Sequence, residues 1–361
     1  MPPSSEQGYG EIGLGSWGGN PNAIALRLTP LGTHIAHLPL DARVAKMLLL
    51  AALCECLSPI LSVAAALSAN ASSQTVFGAV PRDKQEKASA AQREAFGALR
   101  SDLLAVAAAY EGWAKARADG GAKGERAYCA GLFLNGRALR DIESERKELL
   151  RHLEAIGFMP PKQRREVASP ALPSPPSSHA SSLSRVPCSA HSGNETLLRG
   201  IICAAFYPNV AVATRTTASS GQSYEKLTLA GGDVQAWMHP SSINARPEKA
   251  ESGLYVYTEK LDSSRLFLRE STRVPPAALL LFGATPSELD VERVKQSGRV
   301  DLAGGSVRVR VSPQTCLLFK LLRKAVDGLL LSKARDPGSS PEREPAGRLV
   351  IDVTRRVIGQ Y

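Results

Sequence analysis

The chain has 361 residues, 43% of them hydrophobic and 22% charged, which excludes a disordered tail and allows buried cores in two or three domains. Its formal net charge is +10, and residues 194–361 hold much of the excess, with 23 basic against 17 acidic side chains. Such an excess favours an anionic partner such as nucleic acid.

Six cysteines occur without C-x-x-C pairs and without histidines at metal-ligand spacing. This pattern predicts reduced thiols in an intracellular protein, with nucleus and cytoplasm both left open. The N-terminus lacks the basic and apolar regions of a secretory signal, so none is expected.

The first part of the chain has the pattern of an all-helical region. A glycine-rich lead precedes residues 26–40, which indicate a turn, a short helix and an extended exit, and Asp41 is expected to cap the next helix. Strong helix formers fill residues 86–116. The glycine cluster at residues 120–124 then breaks the chain, and helices resume up to Gly157.

An apolar run at residues 46–67 (KMLLLAALCECLSPILSVAAAL) has the length of a membrane span. Glu55 interrupts it, and Ser58 followed by Pro59 is typical of a helix start. Two short buried helices are therefore predicted, with a transmembrane helix as the alternative.

The second part is rich in proline and serine, which make up 16 of the 35 residues from Met159 to Gly193. This composition cannot bury enough apolar area to order itself, so a disordered linker or surface insertion is predicted.

The third part begins with a short helix at residues 195–206 and continues with partly alternating segments separated by Gly, Pro and Asn turns. Five or six such strands predict a small β-barrel. A final amphipathic helix over residues 314–334 is expected to bury one broad apolar face. The members of that face are Leu317, Leu318, Leu321, Leu322, Ala325, Leu329 and Leu330.

Long segments resemble, in the same order, the C-terminal region of DExH-box RNA helicases of the DEAH and RNA helicase A types. Residues 28–68 (LTPLGTHIAHLPLDARVAKMLLLAALCECLSPILSVAAALS) resemble the family's winged-helix and ratchet entry, and SDLLAVAAAYEGW resembles a ratchet segment. MHPSSIN, GLYVYTEKLDSSRLFLRESTRVPPAALLLFGA and the terminal leucine-rich helix resemble its oligonucleotide/oligosaccharide-binding (OB) fold.

The resemblance implies a multidomain α+β protein with a truncated winged helix, an all-α ratchet or helicase-associated domain, and a small OB-fold barrel followed by a C-terminal helix. The implied domains are residues 1–40 (lead and partial winged helix), 41–158 (ratchet), 159–193 (linker), 194–335 (OB fold with flanking helices) and 336–361 (C-terminal tail).

The family's RecA-like motor motifs, a G-x-x-x-x-G-K-[ST] phosphate loop, a D-E-x-H box and a Q-R-x-G-R-x-G-R segment, do not occur in this sequence. The cluster GGAKG at residues 120–124 lacks the Lys-[ST] ending and the strand-loop-helix context of a phosphate loop. We therefore expect the chain alone to be inactive as an ATPase and to hold no cofactor or metal. ATP and Mg would bind to motor domains absent from this chain, and no catalytic constellation is expected in it.

The segment WMHPSSIN, residues 237–244, combines one histidine, two hydroxyls and an amide around Pro240, and by resemblance it borders the RNA path. Its polar groups suit bonds to phosphate or to a 2′-OH, and the proline restricts the backbone that presents them. The alternative is a structural turn that satisfies its own backbone donors and a neighbouring strand. The candidate RNA-binding residues here are His239, Ser241, Ser242 and Asn244.

The hairpin that follows carries a more direct physical signal. Arg265, Phe267 and Arg269 alternate with leucines and are expected on one strand face, where a cation, a ring and a cation suit a single strand of RNA. Lys260, across the turn, is a further candidate for a phosphate contact. In the alternative, Phe267 fills the barrel core and the arginines pair with acidic neighbours, but the basic excess favours RNA contact.

By resemblance, Ser101 and Asp102 begin a ratchet segment in which the family places RNA-facing polar groups, although Leu103 stands where a histidine is expected. Asp102 has the alternative roles of a helix cap or a partner of Arg100. Tyr110 and the nearby Trp113 are predicted to be core residues.

The favoured function is an RNA-binding accessory region of an ATP-dependent RNA helicase, which grips single-stranded RNA and couples to RecA-like motor domains. The alternatives are a protein-interaction platform for a helicase core or its activator, and a truncated fragment without independent function.

Overall fold

A computed structural model of the chain describes residues 27–69, 75–78, 80–159, 188–217, 219, 223–232, 234–245 and 250–360. The predicted lead up to residue 26 and most of the predicted linker, residues 160–187, lie outside these ranges. The described helices are α1 Pro30–Ala36, α2 Ala42–Leu53, α3 Leu57–Ala69, α4 Gln85–Phe96, α5 Asp102–Leu132, α6 Gly136–Ala155, α7 Glu195–Phe206, α8 Pro276–Ala278, α9 Val291–Ser297, α10 Pro313–Arg335 and α11 Pro345–Gln360. The described strands are β1 Val210–Thr217, β2 Ser223–Leu229, β3 Gln235–Met238, β4 Gly253–Val256, β5 Glu259–Asp262, β6 Leu266–Arg269, β7 Thr272–Val274, β8 Arg299–Leu302 and β9 Val307–Arg310.

The apolar run at residues 46–67 forms two packed helices, as predicted. Asp41 caps α2 by accepting a 2.9 Å hydrogen bond from the Arg43 amide, and Glu55, with a φ of 54°, turns the chain between α2 and α3. Nearly all of α2 after its first turn is buried, and α3 packs against α5 and α6. No helix in the described part of the chain is long and apolar enough to cross a membrane.

The helix-forming stretch at residues 86–116 is split by a turn. Helix α4 ends at Phe96, Arg100 adopts a left-handed conformation with a φ of 45°, and α5 starts at Asp102. The predicted break in the glycine cluster is confirmed at Gly121, whose φ of 56° and ψ of −147° kink α5. A left-handed backbone suits glycine because it has no Cβ to clash with the neighbouring carbonyl.

Seven strands form one sheet in the order β5-β6-β3-β2-β1-β4-β7, which confirms the OB-fold prediction. Strand β3 pairs with β6 in parallel, whereas the other pairs in the sheet are antiparallel. The interior is filled by Ala211, Ala213, Leu227, Leu229, Ala236, Tyr255, Tyr257 and Leu268. A separate hairpin, β8–β9, precedes α10.

The predicted apolar face of α10 was wrong in part. Leu317, Leu318 and Leu321 are 45%, 40% and 57% exposed. Leu322 and Leu330 of the predicted face are buried, and they form one stripe with Cys316, Phe319 and Val326, whose members recur every three or four residues. A count of leucines placed the face too far toward Leu317, Leu318 and Leu321 because it left out Phe319 and Val326, which belong to the buried stripe.

Two segments near the predicted boundaries are folded. Residues 188–193, at the end of the predicted linker, form turns on the start of α3, where the Cys188 carbonyl accepts a 2.9 Å bond from the Leu57 amide and the Ser189 hydroxyl accepts one from the Ser58 amide. Residues 345–360 of the predicted tail form α11, which packs against α7 and α10.

Candidate nucleic-acid interface

Two neighbouring strands of the barrel, β3 and β6, carry aromatic and basic side chains on their outer face. In the pairing register, Trp237 of β3 lies beside Phe267 of β6, which in turn lies beside Leu261 of β5. Leu268, the next residue along β6, is fully buried in the barrel, whereas Phe267 is only half-buried. The predicted alternation is therefore present, and Phe267 lies on the outer side of the sheet rather than in the core.

The side chains on this face contact one another. The Arg265 guanidinium carbon lies 5.1 Å from the centre of the Trp237 ring, and the His239 and Phe267 rings meet edge to face at 5.9 Å. Arg269 pairs with Glu259 at 3.6 Å on the surface. We call Trp237, His239, Arg265, Phe267 and Arg269 the aromatic-basic face. Stacked cations and rings of this kind offer π-surfaces and positive charge together.

The His239 ring is held in one orientation by its own loop. The Ser241 amide donates to Nδ1 at 3.2 Å and the Ser241 hydroxyl lies 2.7 Å from the same atom, so Nδ1 is an acceptor and the proton of the neutral ring is on Nε2. The His239 amide donates to the Leu268 carbonyl on the neighbouring strand at 2.9 Å. Burial and, secondarily, the charge of Arg269 lower the pKa of His239 below its usual value. The loop is thus a structural turn that also presents an N–H donor.

Four predicted RNA contacts lie in the interior. The Asp102 carboxylate accepts hydrogen bonds from the Ser242 hydroxyl, from the Ile243 amide at 2.9 Å and from the Ser271 amide at 2.8 Å. Asn244 donates to the Ser271 carbonyl at 3.1 Å. Ser101, Asp102, Ser242 and Asn244 are all buried. Their polar atoms fasten the loop to the start of α5, so these side chains are not presented to RNA in this structure.

Burial and hydrogen bonds have opposite effects on the ionisation of Asp102. Burial raises the pKa of Asp102 to about 6, although the hydrogen bonds from Ser242, Ile243 and Ser271 lower it. Ser101 caps the same helix through its hydroxyl, which accepts from the Leu104 amide and bonds to the Thr272 hydroxyl at 2.7 Å. The helix cap is therefore Ser101, and the cap role considered for Asp102 was wrong.

Lys260 does not join the aromatic-basic face. It is opposite Leu268 in the β5–β6 ladder, and paired residues point to the same side of a sheet, so Lys260 starts from the opposite face. Tyr110 and Trp113 are buried, as predicted, with arginine side chains over both rings.

Trp237 is the residue that the sequence reasoning missed. In the segment WMHPSSIN only the polar residues were selected as candidates. The pairing of β3 with β6 was not visible in the local pattern. The available signal was the two-residue spacing of Trp237 and His239 within a predicted strand, which places both on one face.

A groove of about 420 Å³ lies between the barrel and the helices, next to the aromatic-basic face. His239, Ser241 and Arg269 line one side, while Phe77, Gln85, Ser89 and Gln92 belong to the other. In the described ranges, no group of three or more His, Cys, Asp or Glu side chains has an arrangement suited to a metal ion.

Two domain families match the chain in this order. Residues 41–106 match the helicase associated domain (HA2), ratchet-like, and residues 198–285 match the oligonucleotide/oligosaccharide-binding (OB)-fold family. The second match contains the aromatic-basic face.

Curated relatives match over most of the chain. ATP-dependent RNA helicase DHX29 of Homo sapiens is 30% identical over 331 residues, which cover 91% of this chain and 22% of the relative. ATP-dependent DNA/RNA helicase DHX36 of Homo sapiens is 32% identical over 86% of this chain and 28% of its own length. DExH-box ATP-dependent RNA helicase DExH1 of Arabidopsis thaliana is 31% identical over 86% of this chain and 27% of its own length.

The ratchet-like domain, the OB fold and these relatives together show that the chain resembles the C-terminal region of DExH-box RNA helicases. The chain spans only 22–28% of the length of these relatives.

Proposed function

We propose that this chain is the RNA-binding accessory region of an ATP-dependent RNA helicase, and that single-stranded RNA lies on the aromatic-basic face. The observation that carries the proposal is the stack of Arg265 on Trp237, with Trp237 directly beside Phe267. Aromatic rings stack on bases of any sequence, and arginines beside them neutralise the phosphates that connect those bases.

The proposed role includes coupling to a motor. The barrel loop that holds His239 is bonded through Ser242 to Asp102 at the start of α5, so a strand held on the barrel is mechanically connected to the helical region. RecA-like domains would bind ATP and Mg²⁺ and pull the RNA, while this chain grips the strand and supplies no cofactor site of its own.

The test measures RNA binding by fluorescence anisotropy with a labelled oligouridine at several salt concentrations. Arg265→Ala with Arg269→Ala should weaken binding at every sequence alike, because interactions with phosphates carry no base information. The slope of log affinity against log salt should fall by about 0.7 for each phosphate that the variant no longer neutralises. The matched control replaces Arg348 and Arg356, two exposed arginines of α11, with Ala and should bind as wild type does. An unaltered affinity and salt slope in the first variant would reject this face as the RNA path.

Tryptophan fluorescence gives an independent readout. Trp113 is buried in the helical region, whereas Trp237 lies on the proposed RNA surface. Stacking of a base on Trp237 should quench its emission, and Trp237→Phe should abolish most of the RNA-induced change. A change of equal size in the variant would place the RNA elsewhere.

A second candidate function is a protein-interaction platform for a helicase core or its activator. Leu317, Leu318 and Leu321 form an exposed apolar patch on α10, and such patches mark contact surfaces. Replacing all three with Ser should abolish co-purification with a separately expressed RecA-like motor fragment while RNA affinity stays unchanged. If the variant still co-purifies with the motor fragment, this patch is not the contact surface and gives no support to the interaction-platform function.

A further inference from the structure

The β8–β9 hairpin has an open strand edge. Strand β9 pairs with β8 on one side only, in a register that sets Arg299 opposite Arg310 and Val300 opposite Val309. The other side of β9 has no strand partner among the described residues. Unpaired edges present a row of amide and carbonyl groups to which a further strand can add.

The alternation of hydrogen-bonded and non-bonded residue pairs along the ladder shows which backbone groups of β9 face away from β8. The Val311 amide donates to the Gly298 carbonyl at 3.2 Å, and in an antiparallel ladder bonded and non-bonded pairs alternate. The pairs 300/309 and 302/307 are therefore bonded to β8. The backbone amides and carbonyls of Arg308 and Arg310 point away from β8, toward the open side.

That open side lies along a groove of about 690 Å³. All residues from Ser306 to Ser312 line it, and its opposite wall comes from β1, β4 and the start of α8. The apolar part of the lining is Val212, Ala213, Leu254, Pro276, Ala277, Leu280, Val307, Val309, Val311 and Phe319. The groove therefore combines a free strand edge with an apolar wall.

In the described part of the chain the two arginines of β9 form no ion pair, although Asp301 is opposite Arg308 in the β8–β9 ladder. Arg308 and Arg310 are exposed, and among the described residues neither has an acidic side chain within ion-pair distance. The nearby Arg293 and Arg299, by contrast, both pair with Asp301. Because residues alternate along a strand, the two free arginines share one face of β9 and the valines at 307, 309 and 311 share the other.

We propose that β9 is a docking edge for an extended acidic segment of a partner protein, which adds to the hairpin as a third strand. The segment's backbone bonds to the free amides and carbonyls of Arg308 and Arg310. Its acidic side chains, at every second position, lie beside the two arginines. The residues between them are apolar and face the valine side of the groove. This interaction is separate from RNA binding on the aromatic-basic face.

A peptide fits this groove better than a nucleic acid does. The aromatic ring that lines it, Phe319, is 1% exposed and offers no surface on which a base can stack. A sugar-phosphate backbone also has no amide donors to match the carbonyls of the strand edge, whereas a peptide strand supplies donors and acceptors at the required spacing.

The test uses the full chain and a fluorescein-labelled peptide of alternating Glu and Val residues. A Lys-Val peptide of equal length and the Glu-Val peptide with a central proline are the peptide controls. The Glu-Val peptide should bind at least about tenfold more tightly than either control, and Arg308→Glu with Arg310→Glu should reverse the charge preference. Arg348→Glu with Arg356→Glu, on α11, changes the net charge equally and should leave binding unchanged.

Amide hydrogen exchange tests the geometry directly. Bound peptide should slow exchange at Arg308 and Arg310, whose amides face the groove, and leave Val309, already bonded to β8, unchanged. Arg310→Pro removes one groove-facing donor and should bind the peptide more weakly than Arg310→Ala, which removes only the charge. Both can be compared by thermal unfolding to confirm that the hairpin is intact.

Three results would overturn the proposal. These are no measurable binding of the Glu-Val peptide, equal binding of the Glu-Val and Lys-Val peptides, or slowed amide exchange at Val309 to the same extent as at Arg308 and Arg310. Loss of oligouridine binding in the Arg308→Glu, Arg310→Glu variant, without any peptide binding by wild type, would assign the groove to nucleic acid instead.

Discussion

The Ser242 hydroxyl lies 2.9 Å and 2.7 Å from the two carboxylate oxygens of Asp102, a residue 140 positions earlier in the chain. Asp102 starts α5, and Ser242 belongs to the loop that presents His239 at the edge of the barrel. A pair of buried polar residues thus fastens the helical region to the loop of the proposed RNA surface. Buried carboxylates depend strongly on such partners, since removal of a hydrogen-bond donor leaves their charge unsatisfied.

The two neighbouring serines of this loop should behave differently. Ser242→Ala removes a hydrogen bond to a buried carboxylate and should lower the free energy of unfolding by about 1–3 kcal/mol. Ser241→Ala affects an exposed side chain and should change that free energy by less than about 0.5 kcal/mol. Urea unfolding of both variants measures the difference. Equal effects would show that the hydrogen bond between Asp102 and Ser242 contributes little.

Asp102 should make stability depend on pH. Its pKa is about 6 in the folded protein and 3.8 in a model peptide, so between about pH 4 and pH 6 the folded state holds a proton that the unfolded state has released. The contribution of Asp102 to stability is therefore greatest below pH 4, falls as the pH rises and levels off above pH 6. The total change should be about 3 kcal/mol, since one pKa unit corresponds to about 1.4 kcal/mol.

Asp102→Asn is the reference for this pH effect because it keeps the shape but does not titrate. The difference in unfolding free energy between wild type and variant, measured from pH 4 to pH 7, should move in favour of the variant as pH rises. A difference that is constant with pH would contradict the raised pKa.

Phe267 and Leu268 should separate binding from folding. Phe267→Ala should weaken binding of oligouridine by roughly 1–3 kcal/mol through loss of one base stack, with little change in salt slope. Leu268→Ala, in the barrel interior, should instead lower the free energy of unfolding by about 2–5 kcal/mol. Oligouridine affinity and the denaturation midpoint, measured for both variants, distinguish a binding residue from a core residue. Unfolding of the Phe267→Ala variant would show that Phe267 is a core residue.

His239 should make RNA binding stronger in mild acid. Its pKa is lowered by burial and by Arg269, so the ring is neutral at neutral pH and adds a positive charge to the aromatic-basic face only when the pH falls below that lowered value. RNA is a polyanion and binds more tightly to the protonated ring, so RNA affinity should rise as the pH decreases. His239→Gln should remove this part of the pH dependence. An NMR titration of His239 in Arg269→Ala should show a higher pKa than in wild type; an unchanged value would mean that Arg269 does not act on the ring.

The sequence by itself determined those features that depend on near neighbours. Asp41 caps α2 and Gly121 breaks α5 because capping and left-handed backbone are local properties. The two-residue period of a strand likewise placed Phe267 and Leu268 on opposite faces of β6, since successive side chains point to opposite sides. The leucine face predicted for α10 was only partly correct, because several helical stripes are apolar and only packing against the rest of the core selects one.

The tertiary structure decided which distant residues meet. Parallel pairing of β3 with β6 sets Trp237 beside Phe267, and no periodicity within either strand specifies that partner. The burial of Asp102 depends on Ser242 and Ser271, which reach it from a loop and a strand end far along the chain. Serine and aspartate have the same hydrogen-bonding chemistry on a surface as in a core, so their residue types predicted polar contacts, and only the fold determined that those contacts are with protein.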